Sequence, residues 1–350
     1  MLGRYNALAD KTLVPTQAEA LLLATMAYEI MLHRIAADDA IAQNLSAFSS
    51  APMLDYLAEN KGVFRLAATP AETTLVFNLS PGHASVTLPA GTRVRTTDGL
   101  VQFATDEEKT AAPGTDVITV GATALTDGPQ GNAYAVGTVT DVIDDQPFLV
   151  SATNSTVTGG GADIETDEGL RARIKTSENQ FSTAGSKASY KFWALSANPS
   201  IIDAAVVQTD PGEISIYPLV KGGIVTPQAV LDAVADAVSG DEHEPHNDTV
   251  FVLSPTRVEF ELPIQLVLKY GAVQSVTEQR VYDALSVFFN NLSEKLGADV
   301  TDSQVIAAGM NEWVYDINLP GFSNIIIDPT EFPVCTQFNK SATTYENPDA

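Results

Sequence analysis

The stretch Gly159–Tyr190, GGGADIETDEGLRARIKTSENQFSTAGSKASY, separates a strand-rich region from a region in which helices and strands alternate. It opens with Gly159, Gly160 and Gly161. Three consecutive glycines lose more backbone entropy on ordering than any other tripeptide, so they indicate a hinge or a boundary between domains. We therefore take this stretch as the point around which the chain is organised.

A helix is predicted directly after the glycines. Asp163 or Thr166 can cap it, and two acidic residues follow in its first turn, where the helix dipole favours negative charge. The cations Arg171, Arg173 and Lys175 come late in the helix, where the dipole favours them. Caps and charges thus agree on the direction and the limits of this helix.

The order and spacing of residues in this stretch resemble the baseplate J-like family, the wedge proteins of contractile phage tails and related injection machines. The resemblance covers roughly residues 50–340. The matching positions are Gly159, Gly160, Gly161, Asp163, Asp167, Glu168, Leu170, Arg171, Arg173, Ile174, the run from Phe181 to Ser186, Tyr190 and the run from Ala194 to Ala197.

The resemblance implies a structural subunit of a baseplate wedge, which builds a sixfold ring linking the fibre or receptor signal to sheath contraction. The implied partners are a second copy of the chain within a wedge, a second wedge protein, a lysozyme-like small wedge protein, and the hub and sheath-initiator region. Assembly in the host cytoplasm and a final place in the virion tail baseplate are expected. Gly159–Gly161 would act as a hinge in a chain that adopts two arrangements.

Composition limits the possible partners. The chain has 350 residues, enough for two or three domains, with 44 acidic and 19 basic residues and a formal charge of −25. This balance argues against binding to nucleic acid or to an anionic membrane, because phosphate contacts need clustered Lys and Arg. Basic protein partners and a merely salt-tolerant surface remain open. The single cysteine, Cys335, excludes an intramolecular disulfide and a cysteine-rich zinc site.

The N-terminal region predicts a helix from Pro15 and Thr16 to about Leu45. Its apolar face is wide enough to need burial on more than one side. Packing on the chain's own domains and packing in a bundle with other subunits are both open, and the resemblance supports the bundle. The apolar segment Ala18–Leu32 is judged too short and too charged to span a membrane. The predicted partner-interface residues are Leu21, Leu22, Met26, Ile30, Met31 and Ile35.

The predicted fold class is multidomain α+β, with N-terminal helices, an all-β module and then α/β sandwich-type modules. The predicted domains are an arm and helices at 1–62, an all-β domain at 63–158, the glycine joint with two helices and an α/β module at 159–255, and a C-terminal α/β module with a tail at 256–350.

Three local patterns support this division. Asp98-Gly99 between two alternating segments predicts a β-hairpin. Ala133–Val136 is predicted as a further short strand. In the C-terminal module, Pro263 interrupts a long strand pattern and indicates a sheet edge or a bulge.

The only ligand-like cluster is the loop Asp241–Asp248, which holds two His and several carboxylates. Pro245 prevents helical placement of these side chains, and the resembling family carries no metal there, so we expect no metal. Neither a Gly-x-Ser-x-Gly elbow nor a phosphate loop occurs in the sequence. We expect no cofactor and no enzymatic activity. The alternative functions are a carbohydrate- or receptor-binding module of a tail and a hydrolase of cell-wall material.

Overall fold

The computed structural model describes residues 2–9, 14, 17–181, 186–239 and 249–346. Four predicted features lie outside these residues: the helix start at Pro15 and Thr16, the run at 182–185, the loop at 240–248 and the end of the tail. The described N-terminal helices are α1 (Leu2–Ala9), α2 (Ala18–Ala42) and α3 (Met53–Glu59).

A curved antiparallel sheet follows the helices and forms a nearly closed barrel. Its strands, with a small two-stranded sheet of β2 and β5 beside it, are β1 (Pro70–Leu79), β2 (Val86–Leu88), β3 (Arg93–Thr96), β4 (Gln102–Thr105), β5 (Lys109–Ala111), β6 (Val117–Asp127), β7 (Val139–Val142) and β8 (Leu149–Asn154). The strand order is β7-β3-β4-β6-β1-β8. Side chains alternate along β1 between the core and the outer surface, as expected for a sheet buried on one face.

The two outermost strands of this order, β7 and β8, meet at Asn154, which is fully buried. Its Oδ1 accepts hydrogen bonds from the backbone N–H of Thr138 and Val139, each at 2.9 Å. Its Nδ2 donates to the carbonyl oxygens of Ala135 and Thr156. One side chain therefore bonds to the backbone at the start of β7 and just beyond the end of β8, and links the two edges of the sheet at this point.

The hairpin predicted at Asp98-Gly99 is confirmed, since β3 and β4 pair antiparallel around it and Gly99 has φ +77°. The strand predicted at Ala133–Val136 is wrong. Ala133 has φ +63°, and the segment bonds to the backbone and side chain of Thr158 as an irregular loop. Turn geometry here overrides the β propensity of the sequence.

The central module packs helices on a small mixed sheet. Its elements are α4 (Asp167–Thr176), α5 (Lys187–Ala197), β9 (Ile201–Asp210), β10 (Glu213–Val220), α6 (Gln228–Val238) and β11 (Thr249–Val252), with the strand order β11-β10-β9. The predicted cap Thr166 is confirmed, because its Oγ1 accepts a hydrogen bond from Gly169 N. The core joins α5 and α6 to the sheet, with Tyr190, Ile216 and Val234 among its buried residues.

The C-terminal module is built on one long strand. Its elements are β12 (Thr256–Leu268), α7 (Gln274–Ser293), α8 (Asp302–Gly309), β13 (Val314–Asn318), β14 (Glu331–Lys340) and β15 (Thr344–Tyr345). β12 lies between β13 and β14, pairing antiparallel with the first and parallel with the second, and it also pairs with β15.

Pro263 does not interrupt β12, which runs continuously past it. The strand has an irregularity between Phe260 and Glu261, and its pairing with β13 begins only at Gln265. Proline lacks a backbone donor, so it fits a position where one side of the strand is still free of its neighbour. The multidomain α+β class predicted from the sequence is confirmed, whereas the exact domain limits stay a prediction.

Candidate interface and domain junction

The six predicted interface residues all lie on α2 and are exposed. Their relative exposure runs from 42% at Ile30 to 60% at Leu22. Within Ala18–Ala42, all of which the structure describes, the buried residue is Ala20. Tyr28, Leu32 and Ile41 are exposed as well, so the apolar surface extends around the helix rather than along one stripe. A helix that is apolar all round is a helix that becomes buried in its functional state.

The length of α2 corrects one expectation from the sequence. Ala18–Leu32 was judged too short to span a membrane, but the helix has 25 residues and extends about 38 Å at 1.5 Å per residue. By length and composition, it is the one helix among the described residues that is long and apolar enough to cross a membrane. Core helices of soluble assemblies satisfy the same criterion, so exposure alone leaves the nature of the covering surface open.

The base of α2 is held to the body of the protein by Arg171 on α4. Arg171 Nε donates to Ser46 O at 2.8 Å, and its Nη2 donates to Ser49 O at 2.9 Å. Both carbonyls belong to the turn between α2 and α3. A residue more than 120 positions away thus supplies hydrogen-bond donors to the turn that follows α2.

A second arginine links α3, the start of the barrel and α4. Arg65 Nε donates to Asp55 Oδ1 and its Nη2 donates to Asp167 Oδ1, each at 2.7 Å, while Nη1 reaches Glu165 O. Asp167 also accepts a bond from Ala51 N. The hydrogen bond from Arg65 is the main reason that the pKa of Asp167 lies below its usual value. Asp167 in the first turn of α4 thus interacts favourably with the helix dipole and also forms an ion pair with Arg65.

Arg173 and Glu165 form a buried ion pair at the centre of this junction. Nε and Nη2 of Arg173 donate to the two carboxylate oxygens at 2.7 and 2.8 Å, and the two side chains are only 6% and 5% exposed. Arg173 also donates to Phe64 O and Ser196 Oγ, and Glu165 accepts from Leu66 N. A buried pair whose remaining groups are all bonded fixes the geometry of the elements that carry it.

The glycines predicted as a hinge are packed into the same junction. Gly159 exchanges two backbone hydrogen bonds with Glu72 of β1, and Asn132 binds both N and O of Gly161. A Cβ at Gly159 would lie 2.5 Å from Pro227 Cβ. A Cβ at Gly161 would lie 2.4 Å from the carbonyl oxygen of Gly128. Close packing against a proline ring and against a backbone carbonyl therefore explains Gly159 and Gly161 in this conformation.

This finding changes how the hinge prediction must be tested. The hinge itself stays a prediction, because one conformation does not report motion. Bulky substitutions at Gly159–Gly161 would damage the folded subunit directly, so a failure to assemble would not distinguish a hinge from packing.

The arrangement of the junction was only partly visible in the sequence. Arg171, Arg173 and Asp167 were identified as a helix pattern, whereas Arg65 and Glu165 were not singled out. Arg65 reaches Asp167 and the carbonyl oxygen of Glu165 across about 100 residues of chain, so no short window of the sequence contains both partners.

Among the described residues, the candidate ligand site is one small cavity. Over the described ranges, no group of three or more His, Cys, Asp or Glu is placed to hold a metal ion. The Asp241–Asp248 loop lies outside those ranges. A surface cavity of about 180 Å³ lies between Val273 and Val276 near the start of α7 and Trp313. Small-molecule sites usually have about 300–1,000 Å³, so this cavity is small for a ligand pocket.

Comparison with known proteins gives two family matches. Residues 74–161 match the baseplate J-like protein barrel domain, and residues 182–254 match the baseplate J-like central domain. The chain is also 26% identical over 192 residues to baseplate protein J of Escherichia phage P2. That match covers 54% of this chain and 63% of the phage protein, less than two thirds of its length.

A second relative and one solved structure cover more of the chain. The uncharacterised protein YqbT of Bacillus subtilis strain 168 is 24% identical over 347 residues, covering 91% of this chain and 89% of YqbT. A chain in the cryo-EM structure of the anti-feeding prophage baseplate aligns over 98% of this chain and 89% of its own length, with 13% identity and a TM-score of 0.35.

Proposed function

Since the chain belongs to the baseplate J-like family, we propose that it is a structural subunit of the baseplate wedge in a contractile tail. In this role it helps to build the sixfold ring that links a fibre or receptor signal to sheath contraction. It assembles in the host cytoplasm and ends in the tail baseplate of the particle.

The exposed helix α2 is the observation that carries this proposal. A helix of 25 residues whose apolar side chains point in all directions gains stability only when other surfaces enclose it. The turn at its base is bonded to α4 through Arg171, so the helix leaves the body from a fixed point. We propose that α2 enters a helical bundle with a second copy of the chain and with other wedge proteins.

A protein bundle suits α2 better than a bilayer does. Glu29 lies at the middle of the helix, where it would meet the centre of a membrane. A charged side chain there costs about 2.5–3.5 kcal/mol on insertion scales. Arg34, Asp38 and Asp39 follow within the same helix. In a bundle, polar positions can face water or a partner's charges along the seam.

The proposed partners are the second copy, a second wedge protein, a lysozyme-like small wedge protein, and the hub and sheath-initiator region. The mechanism is conformational, because binding at the interfaces shifts a metastable ring between two states. We propose no enzymatic step and no cofactor. A peptidoglycan zymogram of the purified chain should therefore show no clearing.

Copy number in intact particles tests the proposal directly. Quantitative mass spectrometry should find two copies of this chain per wedge position, relative to the sheath protein and a sixfold hub marker. Absence from particles would refute the structural role. A copy number typical of a fibre tip would favour the carbohydrate- or receptor-binding module instead.

A matched pair of variants tests the role of α2. Leu22→Ser, Met26→Ser and Ile30→Ser together remove apolar side chains spaced four apart, all exposed in the free subunit. The combined variant should fold normally but fail to enter particles. The control changes Thr25→Ala and Glu29→Gln, two polar residues of α2 with the same spacing of four, and it should be incorporated. Equal incorporation of both variants would contradict the bundle, and binding of the wild-type chain to lipid vesicles would contradict the choice of protein over membrane.

A further inference from the structure

Three loops meet at the end of the barrel that lies far from the glycine junction. β1 begins beside the junction, where Thr69 pairs with Ala162, and ends at Leu79. Its ten residues extend about 33 Å at 3.3 Å per residue. The loops 80–85, 112–116 and 143–148 connect strands at this far end, and we call them together the barrel tip.

The barrel tip is cross-linked by hydrogen bonds. His83 is buried, with Nδ1 facing Ala84 O and Nε2 3.1 Å from Thr115 O of the second loop. Ser80 N donates to Phe148 O of the third loop at 2.8 Å. The rings of His83 and Phe148 lie 6.2 Å apart. The three loops therefore form one preorganised surface, which lowers the entropic cost of docking.

Phe148 is the unusual residue of the tip. Its φ is +67°, in the left-handed region where a bulky residue is a steric outlier, and 52% of its surface is exposed. Backbone preference would favour Gly or Asn here, and burial within the chain does not explain an aromatic side chain. An observed backbone outlier of this kind points to a function for the residue that bears it.

Exposed apolar and acidic residues lie at the same end of the barrel as Phe148. Val150 of β8 is 67% exposed, and Val117 of β6 is 45% exposed; both strands pair with β1. Asp116 and Asp145 lie in the tip loops beside them. Asp144 also belongs to the third loop, but its carboxylate is bonded to Arg93. This end of the barrel thus presents exposed apolar side chains together with carboxylates from the tip loops.

We propose that the barrel tip docks onto a different protein that presents an apolar pocket rimmed by lysine or arginine. Phe148 fills the pocket, and the carboxylates of the tip face the cationic rim. Aromatic anchors in pockets contribute most of the energy at such interfaces, while complementary rim charges steer association.

Charge separates this partner from the other candidates. A second copy of the chain docked through the same tip would place its Asp116 and Asp145 against those of the first copy. Like charges facing each other disfavour that contact, and they equally disfavour nucleic acid and anionic lipid. The tip therefore selects a basic protein surface.

Photocrosslinking in assembled particles tests the proposal, which for this purpose rests on the proposed baseplate role. p-Benzoylphenylalanine is introduced in place of Phe148, and in a control chain in place of Leu100. Leu100 is 79% exposed and lies in the hairpin at the opposite end of the barrel. The photoreactive residue at position 148 should crosslink to a lysine- or arginine-rich segment of a different chain. The yield of this crosslink should fall severalfold when assembly takes place at 0.5 M salt.

Two further variants separate docking from folding. Phe148→Gly accepts the same φ without steric strain, so the purified chain should keep its thermal midpoint while its incorporation falls at least fivefold. Phe148→Ser with Val150→Ser should act in the same way. The matched change Leu100→Ser with Val136→Ser, at the other end of the barrel, should leave incorporation unchanged.

The outcomes distinguish the two proposals. Particles that contain the chain but give no 148 adduct above the Leu100 control overturn the tip proposal alone. An adduct with another copy of this chain, with lipid or with nucleic acid overturns it as well. Particles that lack the chain altogether refute the baseplate role and, with it, the tip proposal.

Discussion

The buried ion pair at the junction gives the sharpest test of the structural reasoning. Arg173→Met removes both charge-assisted bonds to Glu165 and the bonds to Phe64 O and Ser196 Oγ. The Glu165 carboxylate then stays buried with Leu66 N as its remaining donor. Removing one partner of a buried pair costs about 3–5 kcal/mol, so the free energy of unfolding at the junction should fall by that amount.

Urea unfolding followed by tryptophan fluorescence measures this loss locally. Trp193 packs against the junction core with Leu54 and Leu170, and Trp313 is the second tryptophan of the chain. A Trp313→Phe background leaves Trp193 as the reporter. Lys175→Met, an exposed change on the same helix, should alter the free energy by less than about 0.5 kcal/mol.

A double-mutant cycle separates the pair from its surroundings. Glu165→Leu combined with Arg173→Met removes both charges. The backbone groups Phe64 O and Leu66 N then lose their hydrogen-bond partners, which costs about 1 kcal/mol of unfolding free energy each. The double variant should therefore be more stable than Arg173→Met alone. A loss below about 1 kcal/mol for Arg173→Met, or a coupling energy near zero, would refute the view that this pair holds the junction together.

Three further predictions concern single side chains. Gly161→Ala should cost about 1–3 kcal/mol and lower the urea midpoint, because its Cβ would overlap the carbonyl oxygen of Gly128. Hydrogen bonds from Arg93 lower the pKa of Asp144 to about 2. The ionised carboxylate therefore stabilises the fold above the usual carboxyl pKa, and this stabilisation is lost as the pH falls from about 5 towards 2. Asp144→Asn should flatten that part of a plot of urea midpoint against pH. Burial raises the pKa of Cys335 to about 11, so at pH 8 about one thiol in a thousand is ionised. A thiol reagent should therefore modify the native chain at least a hundredfold more slowly than the unfolded chain.

Each of these predictions has an outcome that contradicts it. An unchanged urea midpoint for Gly161→Ala would show that the backbone contact at the junction relaxes freely. Arg93→Gln should reproduce the effect of Asp144→Asn, and an additive double variant would mean that the two side chains act independently. Equal modification rates for native and unfolded Cys335 would show that the thiol is accessible.

The sequence alone correctly predicted those elements that depend on neighbouring residues in the chain. The hairpin at Asp98-Gly99 follows from residues that need positive φ, and the start of α4 follows from the cap at Thr166. The strand predicted at Ala133–Val136 fails because its backbone partner is Thr158, which a short window does not include.

The contacts at the junction could not be predicted from the sequence, because they join residues far apart in the chain. Arg173 was interpreted as a cation placed to suit the helix dipole, but its position is set by Glu165 and by Phe64, 109 residues earlier. The glycines at 159–161 are predicted to form a hinge, whereas in the structure neighbouring atoms leave no room for a Cβ at Gly159 or Gly161, and Gly160 has φ +89°. The sequence pattern of α2 predicted an apolar helix correctly, but it does not encode the surface that we propose covers this helix.

The closure of the barrel at Asn154 has a consequence for assembly. A wedge ring would bring many identical chains to high local concentration, and free strand edges under those conditions recruit one another through backbone pairing. Because β7 and β8 meet on either side of Asn154, their N–H and C=O groups there are already satisfied. At this seam of the barrel, a neighbouring subunit therefore meets side chains, which carry more sequence information than the backbone groups of an open strand edge.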